Sequence, residues 1–341
     1  MSLDPNTVRK LNIVIRGAGI IGLSIAFELA RHGVSARILS QGRPEEKASW
    51  AAAGMLSAQF EALIEPDFSG AMHAFANESV ALWPEFAAAI SERTGLSMGY
   101  SAGPTLGLVR PDTLKSLSSD RRLAGVDLDA DDSQTASDVP GLFAPGYQRV
   151  LFSADGQVDN RAVLKGLMQI CGDFMSDDAA LADNADILID CRGWKEDGIR
   201  PVKGQMLALA PRDHHPKIPV RWGASYIVPK PDRIIIGATV EPDETDLATE
   251  EQRLDALLAG ALDIIPDLAS DMEIVEKWAG LRPMARRQRP IIGWAEAGRH
   301  YLATGHYRNG ILLAPATARK VVADLLQTED STTFALGDLA P

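Results

Sequence analysis

The apolar positions of this chain fall into short runs that predict strands and into longer stretches of helical spacing. Residues 12–16 (NIVIR) form the first run and predict a buried strand. From Ile20 to about His32, the residues Ile20, Ile21, Leu23, Ile25, Ala26, Phe27 and Leu29 suit a packed helix, with Gly33 as its stop. Further strands are expected over 35–39, 105–110, 149–152 and 186–191. An amphipathic helix is expected from about Asn77 to Arg93, carrying Val80, Leu82, Trp83, Phe86 and Ile90, with a kink or restart at Pro84. Asp159 or Asn160 caps a helix that runs to about Cys171.

The second half reads differently. Strands are expected over 205–209, 225–228 and 233–238, the last two joined by a turn from Pro229 to Asp232. Thr249-Glu250-Glu251-Gln252 has the form of a capping box opening a helix to about Leu262. A strand returns over 273–278, and a closing helix is expected from Pro315 to Gln327. No repeat and no long linker interrupts the chain.

Composition narrows the function. With 341 residues, 46% of them hydrophobic, the chain can bury a large core and make about two domains. A net charge of −12 opposes a nucleic-acid surface, so small ligands are the expected partners. No run of eighteen apolar residues exists and the polar start is unlike a signal peptide, so a cytoplasmic location without membrane contact is expected. Cys171 and Cys191 are far apart and read as buried thiols. The six histidines show no ligand spacing, and no metal is expected.

The chemistry concentrates in glycine-rich segments. Gly17-Ala18-Gly19-Ile20-Ile21-Gly22 falls at the expected strand-to-helix turn. There Gly17 permits the turn, Gly19 lets a pyrophosphate approach the backbone, Gly22 lets helix and strand pack, and the helix N-terminus attracts phosphate charge. An acidic residue normally ends the next strand to bind a ribose. Here Ser40-Gln41 stand in that place, which predicts weaker bonding and leaves open a 2′-phosphate facing Arg37 or Arg43. A run of small residues, Ala48 to Leu56, would let a flat ring approach the backbone. Near the end, Gly305-His306-Tyr307-Arg308-Asn309-Gly310-Ile311 precedes the last helix.

Together these residues resemble the glycine oxidase (ThiO) family, within the D-amino-acid oxidase and sarcosine oxidase group of flavoproteins. The matching stretches are 16–29, 48–56, 158–167, 201–209, 226–241, 278–283 and 305–318, with Tyr-Ile-Val-Pro-Lys, Gly-Ala-Thr-Val-Glu and Trp-Ala-Gly-Leu-Arg-Pro in order. The resemblance implies an α/β fold: a Rossmann-like FAD-binding domain with a parallel sheet, and an inserted α+β substrate domain with a mostly antiparallel sheet. The expected division is 1–75, 148–200 and 290–341 for the first, and 76–147 and 201–289 for the second. Two stretches depart from the family. Residues 172–185 are a trimmed, acidic segment, and Met284 to Arg289 form a basic loop, expected as solvated surface, that would favour a second negative group if it faced the site.

The implied cofactor is FAD, held non-covalently, since no cysteine stands near the C-terminal turn. Its expected contacts are Gly17, Ala18, Gly19, Ile20, Ile21, Gly22, Ser40, Gln41, Ser49, Ala51, Ala52, Ala53, Gly54, Met55, Arg192, Gly193, Gly305, His306, Tyr307, Arg308, Asn309, Gly310 and Ile311. Arg282 matches the family's carboxylate-binding arginine, Tyr226 a tyrosine whose hydroxyl reaches the substrate, and Arg308 contacts substrate or flavin edge. The amides opening the helix at Pro315 would face the reduced flavin. The implied activity is oxidation of glycine or a similar small amine to the imine, with dioxygen as partner, hydrogen peroxide as product and a role in making the thiazole of thiamine. A homo-oligomer fits the family. The alternatives are a D-amino-acid or N-methyl-amino-acid oxidase or dehydrogenase, or a non-catalytic homologue with impaired FAD binding.

Two further motifs are read as incidental. Gly99-Tyr100-Ser101-Ala102-Gly103 spells a hydrolase elbow, but Pro104 and a strand-like run follow it where a helix is needed. The acidic run 127–133 lacks the glycine and glutamate of a calcium loop.

Overall fold

The computed structural model describes residues 5–65, 68, 70–118, 137–286, 288–296 and 298–326, so the acidic run 127–133 and the tail beyond 326 lie outside the described residues. Its first sheet has six strands in the order β16 (Ile291–Glu296), β17 (His300–Thr304), β9 (Ile187–Asp190), β1 (Ile13–Arg16), β2 (Ala36–Leu39) and β8 (Met175–Ser176). All neighbours are parallel except β16 and β17. β8 comes from the trimmed 172–185 segment, which thus caps the sheet edge, and Ser40 N donates to Ser176 O at 2.9 Å.

Helices Ile20–Arg31, Ala71–Thr94, Asn160–Cys171 and Gly310–Leu326 pack into one core with this sheet. The helix does not restart at Pro84. The helix runs from Ala71 to Thr94 with Pro84 inside it, and Trp83, Phe86 and Ile90 are buried on its core side, so packing overrides the lost backbone donor. Asp159, not Asn160, caps the next helix, its carboxylate accepting from Arg161 N and Ala162 N.

The second sheet has eight strands. Its order is β14 (Glu241–Pro242), β10 (Arg200–Leu209), β13 (Ile234–Gly237), β12 (Ser225–Pro229), β11 (Val220–Trp222), β5 (Thr105–Val109) and β6 (Gln148–Phe152), with β15 (Ile274–Met284) also paired to β10. Only β5 and β11 run parallel. Helix Glu251–Ile264 covers this sheet. The capping box is not formed: Glu250 takes the cap position without a side-chain bond, and its N–H donates to Gln205 Oε1 at 2.6 Å. A three-stranded sheet, β3 (Met55–Leu56), β7 (Gly156–Gln157) and β4 (Ser101–Ala102), joins the layers. Ser101 is thus an exposed strand residue leading into β5, not an elbow before a helix.

The last helix starts at Gly310, five residues before its expected start at Pro315. A proline in the second turn costs a backbone bond. Here Ser79 fills the gap, accepting from Ala316 N at 3.3 Å and donating to Leu312 O at 2.6 Å, while Trp83 Nε1 donates to the same carbonyl at 3.0 Å.

Candidate active site

A cavity of about 380 Å³ runs between the two sheets. One end is built by the first glycine turn. Gly17 sits at φ +107°, and a Cβ there would stand 2.6 Å from Cys191 O, so this position needs glycine on two counts. Gly22 serves packing alone: its Cβ would lie 1.9 Å from Gly17 O, and it does not line the cavity. Ser49 Oγ accepts from Ile20 N at 3.0 Å, at the N-terminus of helix Ile20–Arg31. Asp190, fully buried at the end of β9, holds Arg16 at 3.0 Å and Arg192 at 2.9 Å, and these guanidiniums keep its carboxyl below the usual range despite burial.

The small-residue run forms the middle of the wall. Short helix Ala48–Ala51 docks so closely on β15 that a Cβ at Gly280 would stand 2.4 Å from Ala51 Cβ. Three side chains fasten it. Asn160 Nδ2 donates to Ser49 O and Trp50 O at 2.9 and 3.0 Å, Trp278 Nε1 donates to Ala51 O at 3.0 Å, and Arg161 lies between the Trp50 and Trp278 rings. Arg161 is fixed in turn by a bidentate bond to Glu276 at 2.8 Å.

At the other end, two strands of the second sheet bring large side chains over glycines. Arg282, near the end of β15, lies on Gly204 of β10, and Tyr226 of β12 lies on its cross-strand partner Gly237, where a Cβ would meet the ring at 2.2 Å. Arg282 Nη1 donates to Thr239 O at 3.1 Å and Lys203 O at 3.3 Å. No carboxylate pairs with it in the described structure, and burial, with Arg308 nearby, lowers its pKa. Burial raises the Tyr226 hydroxyl. The C-terminal turn joins them because Tyr307 N donates to Pro283 O at 2.7 Å and His306 bridges to Met284. Arg308 then donates to Ala224 O at 2.9 Å, with Glu65 at 3.8 Å. His306 Nε2 is 3.0 Å from Thr317 Oγ1, and burial pulls its pKa down to about 3, so it is neutral and serves the turn.

The structure brings most of the expected residues to this one cavity. Gly17 to Ile21, Gln41, Ser49, Ala51 to Met55, Arg192, Gly193, Tyr226, Arg282 and Gly305 to Ile311 all line it; Gly22 and Ser40 do not. The Ser40 backbone N–H is bonded to Ser176 O of β8. The helix amides at the site belong to Gly310 and its neighbours, not to Pro315. In the basic loop, Arg286 is exposed, Arg287 lies outside the described residues, and Gln288 alone lines a small adjoining cavity. Both cysteines are free and buried, and burial pushes the Cys171 thiol up to about 11 and raises Cys191 further.

Sequence reasoning missed several wall residues. Gly204, Lys47 and Lys195 line the cavity without a signal of their own, Gly280 lines it from within Trp-Ala-Gly-Leu-Arg-Pro, and Arg43, weighed only for a 2′-phosphate, lines it too. Glu61 and Arg221 were also missed. Arg221 Nη2 donates to Glu61 Oε1 at 2.7 Å, and the guanidinium lies 4.0 Å from the Phe60 ring centre. A lone arginine in an apolar strand, Val220-Arg221-Trp222, was the available signal.

A model of the FAD dependent oxidoreductase family (DAO) matches residues 12–325. The chain is 30% identical to the glycine oxidase of Pseudomonas aeruginosa, covering 92% of this chain and 94% of that protein. It is also 30% identical to the bifunctional protein ThiO/ThiG of Trichormus variabilis, over 94% of this chain; it spans only 53% of that protein, about half its length. The solved glycine oxidase of Geobacillus kaustophilus superposes with a TM-score of 0.85 at 27% identity, covering 97% of this chain and 98% of that one.

Proposed function

We propose, from the premise that this chain belongs to the FAD dependent oxidoreductase family, that it oxidises glycine or a similarly small amino acid or amine to the imine. The wall of the cavity suits FAD. Helices Ile20–Arg31 and Gly310–Leu326 both begin at it, Gly17 and Gly19 leave backbone bare at the first turn, and Arg16, Arg43, Lys47 and Lys195 supply positive charge there. The family match sets aside a nicotinamide phosphate as cofactor. We also propose a discontinuous division into a cofactor part and a substrate part, with bounds shifted from those expected: helix Ala71–Thr94 packs with the first sheet and β6 belongs to the second.

FAD held there would supply the two-electron oxidation of the amine, with dioxygen taking the electrons and giving hydrogen peroxide. The chain's task is positioning. Arg282 holds the substrate carboxylate through a planar fork already fixed by Thr239 O and Lys203 O. Tyr226 and Arg308 border the same space and limit rotation of the bound acid. The amides opening helix Gly310–Leu326 place positive potential at the cofactor side of the cavity. The imine then hydrolyses in water or, from glycine, feeds the thiazole of thiamine.

The observation that carries this reading is Arg282, a half-buried guanidinium lining the cavity with no carboxylate of the described structure against it. The visible spectrum of the purified protein, before and after anaerobic addition of glycine, tests it. Bleaching of a flavin spectrum is expected. A protein that shows no flavin spectrum even after added FAD overturns the oxidase reading.

A further inference from the structure

Arg221 is 1% exposed and is one of the residues lining the cavity. It stands directly opposite Tyr226 in the antiparallel pair β11–β12, so both side chains leave the same face of the sheet. Glu61 engages only Nη2, while Nε and Nη1 have no hydrogen-bond partner. An unsatisfied buried charged donor is costly, and an acceptor supplied by a ligand removes that cost.

Charge at this end of the cavity points the same way. Three guanidiniums, Arg221, Arg282 and Arg308, face two carboxylates, Glu61 at 2.7 Å from Arg221 and Glu65 at 3.8 Å from Arg308. The remaining acid facing Arg221 is Asp155, 2% exposed, which burial pushes up to about 7, towards its neutral form. Below about pH 7, where Asp155 keeps its proton, one positive charge is left over. A neutral zwitterion such as glycine leaves it standing, whereas an amino acid with a second carboxylate arrives with one net negative charge and cancels it.

We infer that the site is built for an amino dicarboxylate, with Arg282 holding the carboxylate beside the reacting carbon and Arg221 holding the second one. This rests on the amino-acid oxidase reading and names its substrate class. The exposed Arg286 of the basic loop plays no part; the second cation comes from inside the sheet.

The test uses the FAD-loaded enzyme and inert acids, read as perturbation of the flavin absorbance. Malonate or succinate is expected to bind about ten-fold or more tighter than acetate. In the paired variant Arg221→Gln/Glu61→Gln, which removes both members of the ion pair together, that ratio falls to about three-fold or less, and Arg221→Lys keeps part of it. Among substrates, kcat/KM for D-aspartate or iminodiacetate should exceed that for D-asparagine by a similar factor. Diacids that bind no tighter than acetate, or a preference that survives both variants, overturn the inference while bleaching by glycine leaves the oxidase reading intact. A flavin-loaded protein that no amine bleaches overturns both.

Discussion

The guanidinium of Arg282 lies flat on Gly204: a Cβ at position 204 would stand 2.1 Å from Nη2 and 2.4 Å from Cζ. The carboxylate fork is therefore shaped by a strand that carries no functional side chain at that point. Gly204→Ala is expected to push the fork out of place and lower kcat/KM by about 100-fold, with the flavin spectrum retained. Steady-state kinetics on the FAD-loaded variant checks this, and an unchanged kcat/KM would show that Arg282 does not position the substrate.

Tyr226 rests on Gly237 in the same way, with the ring where a Cβ would be. Gly237→Ala should displace the ring, whereas Tyr226→Phe removes only the hydroxyl. The first is expected to weaken inhibition by acetate more than the second, by about ten-fold or more against about three-fold. Equal effects would mean that the ring's place matters no more than its hydroxyl.

The clamp on helix Ala48–Ala51 predicts a cofactor phenotype far from any substrate contact. Asn160 is fully buried and gives both amide hydrogens to carbonyls of that segment. Asn160→Ala should cost about 1–3 kcal/mol in stability and raise the FAD dissociation constant several-fold. Thermal unfolding and FAD titration of the apoprotein read the two effects separately; a variant with normal affinity for FAD would refute the link.

Trp83 and Ser79 close the gap that Pro315 opens in the last helix. Trp83→Phe keeps the ring buried but loses its bond to Leu312 O, and Ser79→Ala loses the hydroxyl bridge. Each is expected to destabilise by about 1–2 kcal/mol in urea unfolding. A neutral result for both would mean that the opened carbonyl is satisfied without them.

Asp155 makes stability depend on pH. Burial raises its folded pKa from 3.8 to about 7, so between those values the native state holds a proton that the unfolded chain has released. Its contribution is full below about pH 3.8, falls as pH rises, and is lost once pH passes about 7. His306 slopes the other way, its contribution being present above 6.5 and lost as pH falls toward about 3. Unfolding free energy of Asp155→Asn minus that of the native chain isolates the first slope, and a flat difference between pH 5 and 8 would count against it.

Much of this site was legible because it is local. A strand, a glycine turn and a helix sit in consecutive residues from Ile13 to Arg31, and the turn from Gly305 to Gly310 is likewise continuous, so backbone requirements alone mark them. Ser40 shows the limit: its position after β2 predicted a ribose contact, but it does not line the cavity, and the strand beside it, β8, is supplied from more than a hundred residues away. The capping box at Thr249 is not formed either: the helix starts one residue later, with Glu250 at the cap and its N–H bonded to Gln205 of β10.

By itself, then, the sequence determined the elements whose signals lie within a few residues: the first βα unit, a cap at Asp159 or Asn160, several strands of the second sheet and the bare-backbone turns. Which charges meet was decided by tertiary structure alone. Arg282 faces the cavity because β15 runs on past its expected end at Trp278 and pairs with β10 as far as Met284. Arg221 reaches Glu61 only because β11 registers against β12 and β5 beside the helix Ala58–Ile64. Strand register and layer packing join residues far apart in sequence, and no local pattern encodes such a meeting.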